Sequence, residues 1–189
     1  MLLVLALSAT GFGCVKTNKP TETPESTIDR KAVILEAKQN GLIMDDGEVT
    51  RMKDTSVLVV DDQKRPAQSL TVFESETFSG WLSAALADVT GGSSFGLAHT
   101  KTIHGVFTSY AKVGGLPEPA QGYHYEAWLV RRRDGMKVLN IGTFEKSGEF
   151  FVSTYASKMD LSAFDFYVIT LQPDASSEPA EHILEGMIR

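Results

Sequence analysis

Residues 123–144, YHYEAWLVRRRDGMKVLNIGTF, decide the fold class. In an extended chain Tyr123, Tyr125 and Ala127 share one face, while His124, Glu126, Trp128 and Val130 share the other, because successive strand side chains point to opposite sides. Asp134-Gly135 is a pair that a two-residue hairpin turn favours, and the chain from Lys137 to Phe144 is again rich in strand formers. The stretch therefore predicts a β-hairpin. Arg131, Arg132 and Arg133 fall beside its turn and read as a solvated hairpin end. Trp128 and Phe144 read as core aromatics, while Tyr123 and Tyr125 stay open between the core and a rim where a phenol can keep its hydroxyl in water.

Working outward, the same strand period recurs at 57–60, 69–73, 81–89, 96–101, 106–113, 149–155, 166–171 and 182–188. Gly91-Gly92, His104-Gly105 and Ser147-Gly148 punctuate the runs with turn chemistry. Many short strands at roughly ten-residue spacing predict a mainly β domain over residues 56–189, a sandwich or a barrel, with an antiparallel, Ig-like β-sandwich of Greek-key type as the fold expected. Residues 160–164 read as a single helical turn within it.

Before the strands, residues 27–55 read as a short helical pair. Ser26 with Asp29 forms a cap-like start, Ile28, Ala32 and Leu35 make an apolar stripe, and Asn40-Gly41 stops the first helix. Asp45 with Glu48 repeats the capping pattern and opens a second helix through Val49 and Met52. The alternating Asp/Asn ligands of a calcium loop are absent around Asp45, Asp46 and Glu48, so these residues read as caps.

The first residues carry an address. Met1 to Leu7 is almost all Leu, Val and Ala, small residues follow, and Gly13-Cys14 closes the run. This resembles a bacterial lipoprotein signal, with Gly11-Phe12-Gly13-Cys14 standing at the cleavage motif. The resemblance implies removal of residues 1–13 and acylation of Cys14, an anchor in which each buried CH₂ contributes about 0.8 kcal/mol. Residues 14–26, polar with two prolines, read as a flexible tether. Cys14 is the chain's only cysteine, so no internal disulfide is available. A net charge of -6 argues against nucleic-acid binding, which needs a basic face.

Candidate catalytic groups are sparse. Gly92-Ser93-Ser94-Phe95-Gly96 matches G-x-S-x-G, which would make Ser94 a nucleophile with His182 as a partner, but the motif requires a helix after the serine and residues 97–101 read as extended. His99, His104, His124 and His182 show none of the spacings that mark a zinc site. No phosphate-binding or dinucleotide-binding glycine motif occurs, and no cofactor is expected. A cell-envelope hydrolase or metal-binding protein built on Ser94 or the histidines stands as the alternative to a non-enzymatic reading.

Tyr125-Glu126-Ala127-Trp128-Leu129-Val130, then Gly142-Thr143-Phe144, then Val168-Ile169-Thr170-Leu171-Gln172-Pro173-Asp174, and finally Pro179-Ala180-Glu181-His182-Ile183-Leu184-Glu185-Gly186 form a series. Together they resemble the C-terminal domain of the anti-sigma-K factor family. The resemblance covers roughly the last 75 residues and rests on framework positions. In that family sigma binding belongs to a cytoplasmic N-terminal helical domain joined through a membrane-spanning helix, and neither part is present in this sequence. The resemblance thus implies an extracytoplasmic module that senses or contacts an envelope protein or ligand, without direct contact with a cytoplasmic sigma factor. The expected location is the exported face of a membrane, reached through the lipid on Cys14. Recognition is expected in loops 114–122 and 173–179, with Leu116, Pro117, Glu118, Pro119, Tyr123, Pro173 and Asp174 as candidate contacts.

Overall fold

The computed structural model describes residues 28–75 and 77–189. Cys14, the leader and the tether lie outside them. Helix α1, Arg30–Gln39, opens on Asp29, whose carboxylate accepts the N–H groups of Lys31 and Ala32 at 3.0 and 3.2 Å. Helix α2, Asp46–Met52, opens on a reciprocal cap: Glu48 donates its N–H to Asp45 at 2.8 Å, and the Glu48 carboxylate accepts the Asp45 N–H at 3.1 Å. Each such cap satisfies helix donors that have no partner within the helix.

A 3₁₀ turn, Thr55–Val57, leads into β1, Leu58–Val59, and β2, Lys64–Arg65. Helix α3, Leu70–Glu74, follows, and then β3, Leu82–Asp88, β4, Phe95–Ile103, and β5, Val106–Gly114. The quoted hairpin forms β6, Tyr123–Arg131, and β7, Lys137–Thr143, turning through Asp134 and Gly135 at φ of 54° and 86°. Four strands complete the chain: β8, Glu145–Ser147; β9, Phe150–Ser157; β10, Phe166–Pro173; and β11, Glu181–Met187.

Two expectations are corrected. Residues 69–73 do not form a strand; α3 occupies them, because Phe73 turns inward to stack on Tyr110 and is only 2% exposed. Residues 160–164 form a hydrogen-bonded turn, with the Phe164 N–H donating to the Leu161 carbonyl at 3.0 Å, and no helix. The short polar strands β2 and β8, which no apolar alternation marks in the sequence, both pair with β9.

The strands form one hydrogen-bonded sheet in the order β1-β7-β6-β10-β11-β3-β4-β5-β9-β2, with β8 also on β9. All pairs are antiparallel except β1 with β7. Consecutive strands β7 and β8 pair with β6 and β9, which lie far apart along the sheet. Phe144 alone separates them, so the sheet curls. Buried Phe144 anchors this corner, donating its N–H to the Tyr125 carbonyl at 2.9 Å.

The inner face collects the main core: Leu86, Ala111, Leu129, Ile141, Ile169 and Leu184 represent strands around the curl. Strands β6 and β10 are buried on both faces, and their outer face makes a second core from Trp128, Val130, Phe166 and Val168 with Met44 and Met52 of the helical segment. The sheet carries the helical pair through α2. Helix α1 buries none of its residues, and Ile28 and Leu35 of the expected apolar stripe remain 64% and 58% exposed.

Arg132 fastens this attachment. Its Nε meets Glu48 at 2.8 Å, its Nη1 donates to the Gly41 carbonyl at 2.9 Å, and its guanidinium lies 4.6 Å from the Phe166 ring centroid. The reading of all three arginines as a solvated hairpin end therefore fails at Arg132 and holds at Arg133, whose side chain is 84% exposed.

Candidate functional site

The outer face of β3, β4, β5 and β9 differs from that of β6 and β10, because no helix pair among the described residues covers it. Strand register sets its side chains in rows. Phe95, Gly114 and Phe150 form one row, Leu97, Lys112 and Val152 the next, and His99, Tyr110 and Thr154 a third. Among the described residues, an aromatic roof covers the third row. From the segment between β2 and β3, Phe73 stacks on Tyr110 with centroids 4.9 Å apart, and Phe78 stacks on His99 at 4.0 Å and on Tyr110 at 5.5 Å. All three pairs are within 13° of parallel. Trp81 stands edge-on to both phenylalanines at 6.2 and 5.4 Å.

Beside this stack lies a cleft of about 690 Å³, lined by Phe95, Leu97, Lys112, Gly114 and Phe150, by the stack itself and by Glu74 of α3. Phe95 and Leu97 are 60% and 50% exposed on its floor. A Cβ at Gly114 would stand 3.0 Å from the Phe95 ring and 3.2 Å from the Phe150 ring, so the glycine leaves a notch between them. A mostly apolar concavity of this size with a few polar groups is the usual form of a small-ligand site.

Among the described residues, three ionisable side chains meet the cleft besides the Tyr110 phenol. The Lys112 ammonium lies 4.3 Å from the Phe150 ring centroid. Burial pushes the Tyr110 phenol up, and the negative charge of Glu74 adds to that effect. Burial pushes the His99 imidazole below its ordinary value, and its Nδ1 lies 2.8 Å from the Ser83 hydroxyl. Phe78 takes a left-handed backbone conformation, φ 51°, which is strained for a bulky residue.

The expected loop residues gather at another place, the end of β6 and β10. Tyr123 pairs with Pro173, the Asp174 N–H donates to the Gly122 carbonyl at 3.0 Å, and the Asp174 carboxylate meets His124 Nδ1 at 2.9 Å. Tyr123 is 46% exposed there. Leu116 packs partly against the main core, the Pro117 carbonyl accepts the Tyr125 hydroxyl at 3.0 Å, Glu118 pairs with Lys146, and Pro119 is half-buried. The later loop is tied down: Gln172 donates to the carbonyls of Ser176 and Glu178 and accepts the Ala180 N–H.

Ser94 lies on the β3–β4 connection and is followed directly by β4, without the helix of a nucleophile elbow. Its hydroxyl donates to the Gly115 carbonyl at 3.1 Å. Burial pushes the Asp88 carboxyl up, but hydrogen bonds from the Thr90 hydroxyl and the N–H groups of Thr90, Gly92 and Ser94 outweigh it and hold the group below its ordinary value. His182 Nδ1 lies 2.5 Å from Glu185 Oε1. Among the described residues, no three or more His, Cys, Asp or Glu side chains converge on a point that would hold a metal ion.

The cleft escaped sequence reasoning because its floor comes from three strands and its roof from a segment read as a strand. Phe95-Gly-Leu97 was the available signal, two large apolar residues on the same side of a strand, although only the register shows that side to be uncovered. No protein-family model, curated protein or solved structure matches this chain.

Proposed function

We propose that this chain is a non-enzymatic binding or sensing module, displayed on the exported face of a membrane through a lipid on Cys14, with its ligand seated in the cleft over β4 and β5. The observation that carries the binding site is the uncovered aromatic floor beside the Phe73, Phe78, His99 and Tyr110 stack. Apolar side chains that lie together and open to water, unlike singly scattered ones, mark a surface for a ligand or partner. The anchor rests on the apolar leader ending at Cys14.

The finer fold reading belongs to the same proposal: the curled sheet acts as an Ig-like sandwich akin to the outer domain of anti-sigma-K factors. Its support is that the stretches carrying that resemblance fall on β7, β6, β10 and β11, which are neighbours in the sheet. Tyr123, Pro173 and Asp174, together at one end, offer a second contact surface for an envelope protein. Exposure of Tyr123 beside two loops supports that role.

Two measurements test the proposal. Intact-mass analysis of the protein from a bacterial membrane fraction is expected to show loss of residues 1–13 and acylation at Cys14; an unmodified full-length soluble species would overturn the anchor. Small molecules extracted from the purified native protein, compared with those from Leu97→Asp, are expected to include one that the variant lacks. Equal recovery, or none from either protein, removes the cleft from the proposal.

A further inference from the structure

We infer that the cleft over β4 and β5 selects small molecules that combine a flat apolar ring with a negatively charged group, the ring lying on Leu97 between Phe95 and Phe150 and the charge meeting Lys112. This rests on the reading of the cleft as a ligand site. It adds the chemistry of the ligand.

Shape gives the ring. Gly114, having no side chain, leaves a notch between the rings of Phe95 and Phe150 into which the edge of a planar group fits, and the stack over His99 and Tyr110 closes one side with faces already parallel to one another. A ring entering there is offered aromatic neighbours at its faces or edges, contacts that add to simple area burial.

Charge gives the anion. Among the described residues, Lys112 and Glu74 are the two charged side chains lining the cleft, with His99 held toward its neutral form by burial. They occupy different parts of it: Lys112 stands in the open second row and reaches over Phe150, whereas Glu74 sits on the α3 rim, where its charge acts on the roofed Tyr110. Lys112 makes its close contact with a ring face and has no carboxylate partner among the described residues. An anion arriving over the floor therefore meets an ammonium that no described carboxylate neutralises. A cation arriving there meets repulsion.

The test uses two fluorescent probes with the same rings, 1-anilinonaphthalene-8-sulfonate and the uncharged N-phenyl-1-naphthylamine, titrated into the protein at low salt with Trp81 as a second reporter. The sulfonate is expected to bind one site more tightly than the neutral probe, and Lys112→Met to weaken it about fivefold while changing the neutral probe less than twofold, the scale of one exposed charge contact. Glu74→Gln is expected to leave the sulfonate as tight or tighter. Leu97→Asp is expected to abolish both, with circular dichroism confirming that the sheet is intact. If Leu97→Asp removes both probes but Lys112→Met leaves the sulfonate unchanged, the charge selection is overturned and the cleft stands. If neither probe binds, or Leu97→Asp changes neither, the cleft itself is overturned.

Discussion

Glu185 and Met44, separated by 141 positions in sequence, are joined by a buried hydrogen bond in which the Met44 N–H donates to Glu185 Oε2 at 2.7 Å. The other carboxylate oxygen lies 2.5 Å from His182 Nδ1, so one side chain ties the helical segment to β11 and orients a buried imidazole. Glu185 is 2% exposed and His182 8%. Glu185→Ala would leave both partners buried and unpaired, which costs about 2–4 kcal/mol. The expected result is a lower urea midpoint together with faster hydrogen exchange at the Met44 amide. Glu185→Gln, retaining one acceptor oxygen, is expected to fall between. An unchanged midpoint in Glu185→Ala would show that the apolar contacts of Met44 and Met52 hold the helices without this bond.

Tyr167 presents the opposite situation. Its ring is fully buried in the main core and burial pushes its phenol well above the usual tyrosine range; the Ser109 and Ser153 hydroxyls lie close enough to pull it partly back, but neither makes a hydrogen bond of good geometry with it. Removing an unpaired buried hydroxyl removes a desolvation cost of about 1 kcal/mol or more. Tyr167→Phe is therefore expected to match or exceed the wild type in thermal midpoint. A loss of more than about 1 kcal/mol would show that the hydroxyl is bonded in solution.

Much of this framework is legible in the sequence because it is local. Asp134-Gly135 demands a turn with positive φ whatever surrounds it, and Asp45 with Glu48 closes its capping box within a single turn of chain. What was illegible depends on long-range register. Phe95, Gly114 and Phe150 form a row only because β4, β5 and β9 align at those positions, and nothing near Gly114 announces the rings that flank it. Ser69 to Phe73 has a strand's composition but folds as α3, since stacking Phe73 on Tyr110 outweighs a weak local preference. Arg132 looks like its neighbours, and only the arrival of α2 turns it into an anchor.

His99 makes the roofed row sensitive to acid. Burial lowers its pKa in the folded protein below the unfolded value of about 6.5, so the unfolded chain binds the proton more readily. The stability tied to neutral His99 is then complete above about pH 6.5 and is lost as the pH falls toward the lowered folded value. Wild type is expected to lose more stability than His99→Gln between pH 7.5 and pH 5, measured by urea unfolding at both pH values. Equal losses would place the acid sensitivity elsewhere.

Phe78 is where the roof stores strain. A phenylalanine at φ 51° costs roughly 1–3 kcal/mol, offset by its stacks on His99 and Tyr110. Truncation separates these two effects. Phe78→Ala loses the rings but keeps a Cβ in the left-handed region, whereas Phe78→Gly loses the same rings and relieves the backbone. At an ordinary position glycine is the less stable of the two, because the unfolded chain gains freedom worth about 0.4–1 kcal/mol. At position 78 the order is expected to reverse, with Phe78→Gly unfolding at the same or a higher temperature than Phe78→Ala, and with both binding aromatic probes differently from wild type because the wall beside Leu97 has gone. If alanine proves more stable than glycine there, Phe78 does not hold the left-handed conformation in solution, and the parallel stack that closes one side of the cleft would have to be formed by Phe73 alone.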